Sequence, residues 1–366
     1  MAQRAPARKL IGSFIGMIMP LFHFPKAILA TVLLLLLQPA AASAQKILRY
    51  TDHEPLGGMR TKFIKEVFFA AIEKESNGRL KIDDHWDGEL ASGYDALRIL
   101  GAGTVADIGI VVPEYAANEL PLHQIFKSFL SGPTGDRQVT FFRRAYADIP
   151  AFPGELKKNN VVNIFFATGY PVAFFGIAPL KTLEDIKGNK WRTASFWHRD
   201  FLRNAGANPV SIPWGPEVFN ALKAKTLDGL MVNVDSGYML KVHEAAPYVI
   251  ASKDLWLGHV YLLTMNADTW DGLAQEDKSA IQRAAESSYK SLGAVMDNSF
   301  EAMVQDLVRE GVNVRLLERK EVDGFNVATR YQDVQAAWVK AEEAKGVKEL
   351  GATMEKVRII LDETMN

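Results

Sequence analysis

The chain of 366 residues lacks cysteine altogether. This absence excludes disulfide bonds, metal centres held by cysteine, a thiol nucleophile and a lipid anchor on an N-terminal cysteine. A basic excess is also missing, because 42 Lys and Arg stand against 43 Asp and Glu, for a net charge of −1. Since proteins that bind nucleic acids usually show such an excess, we expect no nucleic-acid partner. Long apolar runs are scarce as well. The run at residues 27–37 would cover only about 16 Å as a helix, which is too short to span a membrane whose hydrocarbon core is about 30 Å thick.

The first 44 residues differ in character from the remainder. They carry four basic residues and no acidic one, then the apolar run, then a stretch of small residues that ends in Ala-Ser-Ala at position 44. This order is typical of a secretory signal peptide, and it predicts cleavage before Gln45. A second apolar stretch at residues 10–24 makes the leader long, so translation from a later methionine and retention of the segment as an anchor are the alternatives. Cleavage removes four positive charges and would change the net charge from −1 to −5.

Composition and pattern after residue 44 predict an α/β fold. Over all 366 residues, hydrophobic residues make up 48% and charged residues 23%, which is typical of globular proteins, and the length favours two domains. Helical and strand patterns alternate with short connectors, and apolar runs such as residues 108–112 are typical of buried parallel strands. We therefore expect mainly parallel sheets.

One predicted helix is unusually long. Residues 275–310 contain no proline, carry apolar or small residues close to a 3.6-residue period, and are followed by Gly311. At about 54 Å such a helix exceeds the diameter of a small domain, so we expect it to run along both domains. Gly293 is the position at which it could kink.

No motif in the sequence predicts catalysis or cofactor binding. Residues 101–106 resemble the dinucleotide fingerprint G-x-G-x-x-G/A, but they follow a predicted helix and precede a strand, the reverse of the required order. Pro247 replaces the second histidine of H-E-x-x-H, and no G-x-S-x-G sequence occurs. We therefore expect no cofactor, no metal site and no enzymatic activity. A secreted hydrolase is the alternative from another class, because catalytic triads need not be local in sequence.

Several segments together carry a specific resemblance. Residues 180–192 read LKTLEDIKGNKWR, residues 206–222 read GANPVSIPWGPEVFNAL, and TLDG follows at 226–229. Earlier in the chain, SNGRLKI at 76–82 and ADIG at 106–109 extend the pattern. The chain resembles the periplasmic solute-binding proteins of tripartite ATP-independent periplasmic (TRAP) transporters, the dicarboxylate-binding-protein family, over essentially its whole length after the leader.

This resemblance implies a two-lobed periplasmic-binding-protein fold with a β-strand hinge. Lobe one would comprise residues 45–169 and 258–296, lobe two residues 170–257 and 297–366, with the helix 275–310 bridging both. Such a receptor closes on a small organic acid in the periplasm and delivers it to the membrane subunits of the transporter, as a monomer or weak dimer. The alternative is a receptor of the same fold that serves a sensor or an ATP-driven importer.

Arg192 matches the arginine that holds the ligand carboxylate in this family. A guanidinium presents a planar fork that fits a carboxylate through two parallel hydrogen bonds. Each such bond contributes about 1.5–3 kcal/mol, against about 8 kcal/mol for micromolar affinity, so lobe closure must provide the rest. Pairing of Arg192 with the nearby Asp185 is the alternative.

The sequence departs from the family pattern at two positions. A further arginine of the sialic-acid-binding members falls at Val172, and a ligand-binding asparagine of many members falls at Val232. The neighbouring Asn233 is the residue that could replace it, although strand neighbours face opposite ways unless the register shifts. Both departures predict a pocket that is less polar than a sugar-acid site.

Aromatic residues cluster in sequence around Arg192. Rings stack on ring faces and on guanidinium groups, so the cluster favours an apolar or aromatic monocarboxylate as ligand. Trp191 should point away from the pocket because it neighbours Arg192 on a strand. The alternative is that most of these side chains belong to the core. The aromatic contacts that we predict are Phe174, Trp197 and Trp214.

Two further groups of contacts follow from the resemblance. In lobe one, Tyr115 occupies a position where family members contact ligand, and the adjacent Glu114 could contact a ligand amine. Asp235 lies just beyond Asn233, and together with Glu114 it could hold a cation that bridges a keto acid.

Overall fold

The computed structural model describes Gly16 and residues 45–169, 171–212, 214–256 and 258–366. The predicted leader therefore lies, apart from Gly16, outside the described residues. From Lys46 onward the chain forms two β-sheets with helices packed around them. Within the described residues, no helix combines the length and the apolar character that are needed to cross a membrane.

The first sheet has the strand order β2-β1-β3-β10-β4, and the second has the order β11-β9-β5-β8-β6-β7. The strands are β1 (Lys46–Thr51), β2 (Leu80–His85), β3 (Ile108–Val111), β4 (Val161–Thr168), β5 (Val172–Gly176), β6 (Lys190–Thr193), β7 (Asn208–Ser211), β8 (Gly229–Asn233), β9 (Tyr248–Ala251), β10 (Val260–Asn266) and β11 (Asn313–Leu316).

Thirteen α-helices accompany these strands in the described part of the chain. They are α1 (Met59–Phe63), α2 (Ala70–Glu75), α3 (Ala96–Ala102), α4 (Gly135–Asp148), α5 (Ala151–Lys158), α6 (Phe196–Asn204), α7 (Pro216–Lys223), α8 (Val234–Met239), α9 (Ala267–Asp271), α10 (Gln275–Arg309), α11 (Arg319–Thr329), α12 (Tyr331–Ala344) and α13 (Leu350–Met365). A π-helical segment, Ile64–Phe69, joins α1 to α2, so that the chain is helical without a break from Met59 to Glu75. Gly103 ends α3 with a φ of 65°, which confirms that this glycine stops a helix.

The sheets are mixed rather than purely parallel. Five of the nine strand pairs among the described residues are parallel, but β5 and β10 each run antiparallel to both of their neighbours. These are the two strands that the chain enters directly from the other sheet, from β4 into β5 and from β9 into β10. These links form the strand connections between the two sheets.

The central strands explain the apolar runs of the sequence. In the strands β3, β5, β8 and β10 every residue is buried, because helices or the other sheet cover both faces. Strands of this kind show no alternation of apolar and polar residues.

The long helix α10 agrees with its predicted range to within one residue. It packs on α2 and α4, which flank the first sheet, and on α8 and β11 of the second sheet, so it contacts both halves. The helix continues through Gly293 without a break. A side chain at Gly293 would place its Cβ 2.1 Å from Oδ1 and 2.2 Å from the backbone nitrogen of Asp136. Gly293 therefore allows α4 to approach α10 closely.

The C-terminal helix does not follow the expected lobe assignment. We placed residues 297–366 in lobe two, and β11 indeed pairs with β9 of the second sheet. However, α13 packs on α4 and on the 3-10 helix Leu122–Ser128, which belong to the first half. Its apolar face, with Val357, Ile360 and Leu361, is buried there. The chain thus returns to the first half after α12.

We predict that Gly293→Ala destabilises the protein, because the new methyl group meets backbone atoms of Asp136 that cannot move independently. Such overpacking costs about 1–3 kcal/mol. The matched control is Gly324→Ala in α11, where a Cβ meets nothing within 4 Å. This control should stabilise the protein by about 0.5–1 kcal/mol, since alanine is the better helix former. Urea unfolding of both variants tests this, and equal shifts of the two midpoints would contradict it.

Candidate functional site

A cavity lies where elements of both sheets meet. Most of its lining follows the carboxyl ends of strands, where loops of α/β proteins commonly bind ligands. Glu54 follows β1 and Glu114 follows β3, whereas Arg192 and Asn233 lie at the ends of β6 and β8. The remaining lining residues are Tyr115, Lys127, Thr193, Ala194, Ser195, His198, Trp214, Met231, Val232, Ser236, His259 and Tyr261.

Arg192 is the central charged residue of this cavity. Only 2% of it is exposed, and its Nε donates a hydrogen bond of 2.9 Å to the carbonyl of Ile212. Its Nη2 is buried and has no hydrogen-bond partner among the described residues. Burial lowers the pKa of Arg192, while Tyr115 and Glu114 oppose this effect. One edge of the guanidinium is thus anchored, and the other lacks a partner within the described protein.

The alternative pairing of Arg192 with Asp185 does not occur. The Asp185 carboxylate accepts hydrogen bonds from the backbone N–H groups of Lys181 and Thr182. These bonds belong to a capping box at the start of the 3-10 helix Leu183–Ile186, and they lower the pKa of Asp185. Asp185 therefore serves the local turn.

Strand alternation orients Arg192 as expected. Trp191 points to the opposite face of β6 and packs against Phe174, with ring centroids 5.7 Å apart. On the cavity side, the guanidinium carbon of Arg192 lies 5.2 Å from the ring centroid of Trp214. This cation–π contact fixes the plane of the guanidinium without using any of its hydrogen-bond donors. Trp214 lines the cavity, at the position where an aromatic contact was predicted.

Asn233 also reaches the cavity. It is 1% exposed, and neither its Oδ1 nor its Nδ2 has a hydrogen-bond partner among the described residues. Strict alternation would turn it away from Val232, yet both residues line the cavity. The reason is that β8 ends at Asn233 and α8 starts at the next residue, so the backbone turns there. Val172, where some relatives would carry an arginine, pairs with Asn233 on the neighbouring strand β5.

Glu114 and Lys127 form a buried ion pair at the first-sheet side of the cavity. Nζ of Lys127 lies 2.6 Å from Oε2 of Glu114, and both side chains are at most 10% exposed. Burial alone would raise the pKa of Glu114, but Lys127 and His259 outweigh it and hold this pKa well below its usual value. Glu114 thus lines the cavity as predicted, but its charge is already matched by Lys127.

Tyr115 is held in place by two aromatic neighbours. Tyr94 stacks on it with ring centroids 4.4 Å apart, and His53 meets it edge-on at 5.8 Å. Burial raises the pKa of Tyr115, and the nearby Glu114 raises it further, so the hydroxyl stays protonated. Tyr115 can therefore donate a hydrogen bond or offer its ring face to a ligand.

Asp235 lies beside the cavity rather than in its lining. It borders an adjoining space that shares Glu54, Trp214 and Ser236 with the first cavity. Burial, followed by the charge of Glu54, raises the pKa of Asp235 to about 7. Among the described residues, no group of three or more His, Cys, Asp or Glu could hold a metal ion. The structure does not gather Asp235 and Glu114 into the cation site that was considered.

The structure does not bring two of the predicted aromatic contacts to the cavity. Phe174 is fully buried in the central strand β5, where it packs between Trp191 and Phe325. Trp197 is fully buried as well, and its Nε1 donates a hydrogen bond of 3.0 Å to the carbonyl of Gln124. Neither residue lines the cavity, because proximity to Arg192 in sequence does not decide which face of an element a side chain occupies.

The sequence reasoning missed several cavity residues, among them Lys127, His198, His259 and Tyr261. The most informative is Lys127, which is 3% exposed within the 3-10 helix Leu122–Ser128. The available signal was a lysine within the mainly apolar segment 125–130, since lysine is almost never fully buried without a partner. The partner, Glu114, lies in a different element and could not be found from spacing.

The family of the chain follows from a comparison with known families. Residues 59–332 match the family model DctP, described as bacterial extracellular solute-binding protein, family 7. The chain belongs to this family. As a member of it, the protein is a solute-binding receptor and not an enzyme.

Individual relatives are distant but cover most of the chain. A solute-binding protein of Chromohalobacter salexigens is 26% identical over 269 residues, which are 70% of this chain and 75% of that protein. A marine-metagenome TRAP solute-binding protein specific for aromatic acids, solved with 3-hydroxybenzoate, has a TM-score of 0.76 at 18% identity, covering 88% of this chain and 100% of that one. The sugar-acid-binding protein of Advenella mimigardefordensis, solved with galactonate, has a TM-score of 0.71 at 20% identity, with coverages of 88% and 99%. At these identities the two structures show a shared fold, two-lobed as predicted.

We predict that Asp235→Asn stabilises the protein increasingly as the pH rises from 5 to 8. The folded protein raises the pKa of Asp235 from its usual 3.8 to about 7. The folded state therefore keeps a proton that the unfolded chain has lost, and stability falls as the pH rises through this window. Asparagine does not ionise, so the variant does not lose stability through this group as the pH rises. The measurement is the difference in melting temperature between variant and wild type at pH 5, 6, 7 and 8.

The control for this experiment is Asp271→Asn, at an exposed position in α9. Its melting-temperature difference from wild type should not change across the same pH range. A difference for Asp235→Asn that is likewise independent of pH would show that the carboxyl titrates normally.

Proposed function

We propose that the protein is the periplasmic receptor of a TRAP transporter and binds a small organic carboxylate in the cavity around Arg192. The observation that carries this proposal is the buried guanidinium whose Nη2 has no partner among the described residues. A buried charge is costly unless it is paired and hydrogen-bonded. A ligand carboxylate supplies both the charge and two acceptor oxygens in the geometry of the guanidinium fork.

The surrounding charges favour a single negative charge on the ligand. Glu114 and Lys127 neutralise each other at 2.6 Å. Arg60 donates hydrogen bonds to Asp52 and Glu54, so that these acids are also engaged. Among the described residues, Lys127 in the cavity lining is paired with an acid, whereas Arg192 is not. A monocarboxylate compensates it fully.

Asn233 supports the same assignment. Its amide has both a donor and an acceptor available, and both are buried at the cavity. An unsatisfied buried amide costs free energy, which a polar ligand group recovers on binding. The Nδ2 donor suits a carboxylate oxygen, and the Oδ1 acceptor suits a hydroxyl or amine hydrogen of the same ligand.

The lining supports a ligand with a flat or apolar body. Trp214 covers one side of the guanidinium, Tyr115 and Tyr261 contribute further rings, and Met231 and Val232 add apolar surface. The likeness in fold to a receptor solved with 3-hydroxybenzoate agrees with an aromatic acid. Since Phe174 and Trp197 belong to the core, the aromatic surface is smaller than the sequence suggested. An aromatic or short apolar monocarboxylate is the proposed ligand class.

Closure of the two halves around the ligand is the proposed means of capture. The cavity takes its lining from both sheets, which are linked by the connections β4–β5 and β9–β10 and by α10. A ligand that contacts both sides stabilises the closed arrangement by its differential affinity for it. The signal-peptide pattern before Gln45, one residue ahead of β1, supports export to the periplasm, and delivery to membrane subunits completes the function.

We predict that Arg192→Ala lowers the affinity for carboxylates at least tenfold, because it removes charge-assisted bonds of about 1.5–3 kcal/mol each. Arg192→Lys keeps the charge but loses the planar fork, and should bind with intermediate affinity. A thermal-shift screen of organic acids, with benzoate and hydroxybenzoates included, identifies a ligand, and isothermal titration calorimetry measures its affinity.

The matched control is Arg199→Ala, on the exposed side of α6 with its side chain 46% exposed. It should bind as the wild type does. Unchanged affinity in a folded Arg192→Ala variant would refute the assignment of the carboxylate site.

A further inference from the structure

Beyond Arg192 and Asn233, the cavity lining holds a second group of polar residues. Lys127, His198 and His259 all line it, and each is less than 10% exposed. The side chains come from three separate elements, namely the 3-10 helix Leu122–Ser128, the helix α6 and the link before β10. We call these three residues the polar corner of the cavity.

The polar corner contains unused hydrogen-bonding capacity. An ammonium group has three N–H donors, but Lys127 has a contact at 2.6 Å with only one atom, Oε2 of Glu114, among the described residues. Nε2 of His198 and Nδ1 of His259 are buried without a hydrogen-bond partner in the described structure. Buried polar atoms of this kind are usually satisfied by water or by a ligand.

Both imidazoles are neutral at physiological pH. Burial, together with the charge of Lys127, lowers the pKa of His259 to about 4, although Glu114 opposes this effect. Burial and Lys127 also hold the pKa of His198 well below its usual value, although Glu114 opposes this. A neutral imidazole has one ring nitrogen that donates and one that accepts. The corner therefore offers donors from Lys127 and a mixture of donors and acceptors from the two histidines.

The charge of the corner selects against a second ionic group on the ligand. A second carboxylate would meet the negative charge of Glu114, and an ammonium would meet the positive charge of Lys127. The Glu114–Lys127 pair has no net charge to compensate. A neutral group that accepts from Lys127 and also donates or accepts at a histidine satisfies the unused atoms, and an alcohol or phenol hydroxyl does both.

We propose that the polar corner of Lys127, His198 and His259 recognises a neutral hydroxyl group on the carboxylate ligand, so that the receptor selects hydroxylated monocarboxylic acids over their unsubstituted parents. This inference rests on the proposed carboxylate site at Arg192. Within it, Lys127 is the specificity-determining residue, and Glu114 is a positioning residue that holds the ammonium in place.

The test compares acids that differ by one hydroxyl group. Calorimetry measures the wild-type affinities for benzoate with its 2-, 3- and 4-hydroxy derivatives, and for propanoate with lactate. A site built to hydrogen-bond a hydroxyl discriminates against the analogue that lacks it, so at least one hydroxy acid should bind about tenfold or more tightly than its parent. That ratio of affinities is the quantity to follow in the variants.

The variant is the double substitution Lys127→Met with Glu114→Gln, which removes both charges and leaves neither buried alone. Its ratio of hydroxy-acid to parent affinity should fall to about threefold or less, since the ammonium donor is gone. His198→Leu, measured separately, should lower the ratio as well and covers the case in which the double variant does not fold. The matched control is Lys187→Met with Glu184→Gln, an exposed ion pair, which should keep the wild-type ratio.

The outcomes separate this inference from the proposal on which it rests. Equal wild-type binding of hydroxy acids and parents, with loss of both in Arg192→Ala, would overturn the hydroxyl site and leave the carboxylate site standing. A wild-type preference that survives in both corner variants would also overturn the inference. If none of these acids binds to the wild type, the proposed carboxylate function and the inference both fail.

Discussion

The buried guanidinium of Arg192 is the constraint on which the rest of the site depends. It is anchored through Nε to the carbonyl of Ile212 and covered by Trp214, but no acid of the described structure pairs with it. A buried cation in this state costs several kcal/mol unless an anion joins it. Arg192 faces the cavity because neighbouring residues of a strand point to opposite faces, and Trp191, the preceding residue on β6, packs in the core. Ligand binding and the stability of the closed arrangement are therefore linked through one charge.

The other charges of the region are arranged so that they do not compete for this role. Glu114 is paired with Lys127, and Asp52 and Glu54 are bonded to Arg60, whose guanidinium lies 4.6 Å from the ring centroid of Tyr261. Had one of these acids been unpaired, it would have neutralised Arg192 within the protein. Internal pairing thus keeps an anion site open while most of the buried charge is compensated, and it leaves neutral donors and acceptors for the uncharged part of a ligand.

Local patterns in the sequence predicted much of the fold, and the family resemblance pointed to part of the site. The range of α10 was predicted to within one residue because a proline-free 3.6-residue period is a local signal, and Arg192, Trp214, Asn233, Glu114 and Tyr115 lie at the cavity. The failures share one cause, which is that tertiary arrangement decided them. Phe174 and Trp197 face the core, α13 returns to the first half, and β5 and β10 run antiparallel to their neighbours. Lys127 and His198 join the cavity from elements that no spacing connects.

The central claim is that the free edge of Arg192 receives a ligand carboxylate. A crystal structure of the protein with its copurified or screened organic acid tests this most directly. The account predicts a carboxylate with its oxygens about 2.7–2.9 Å from the Nη atoms of Arg192, beside Trp214 and Asn233. A bound ligand whose acidic group lies elsewhere, or an Arg192 paired with a protein carboxylate in the closed, ligand-bound state, would contradict it.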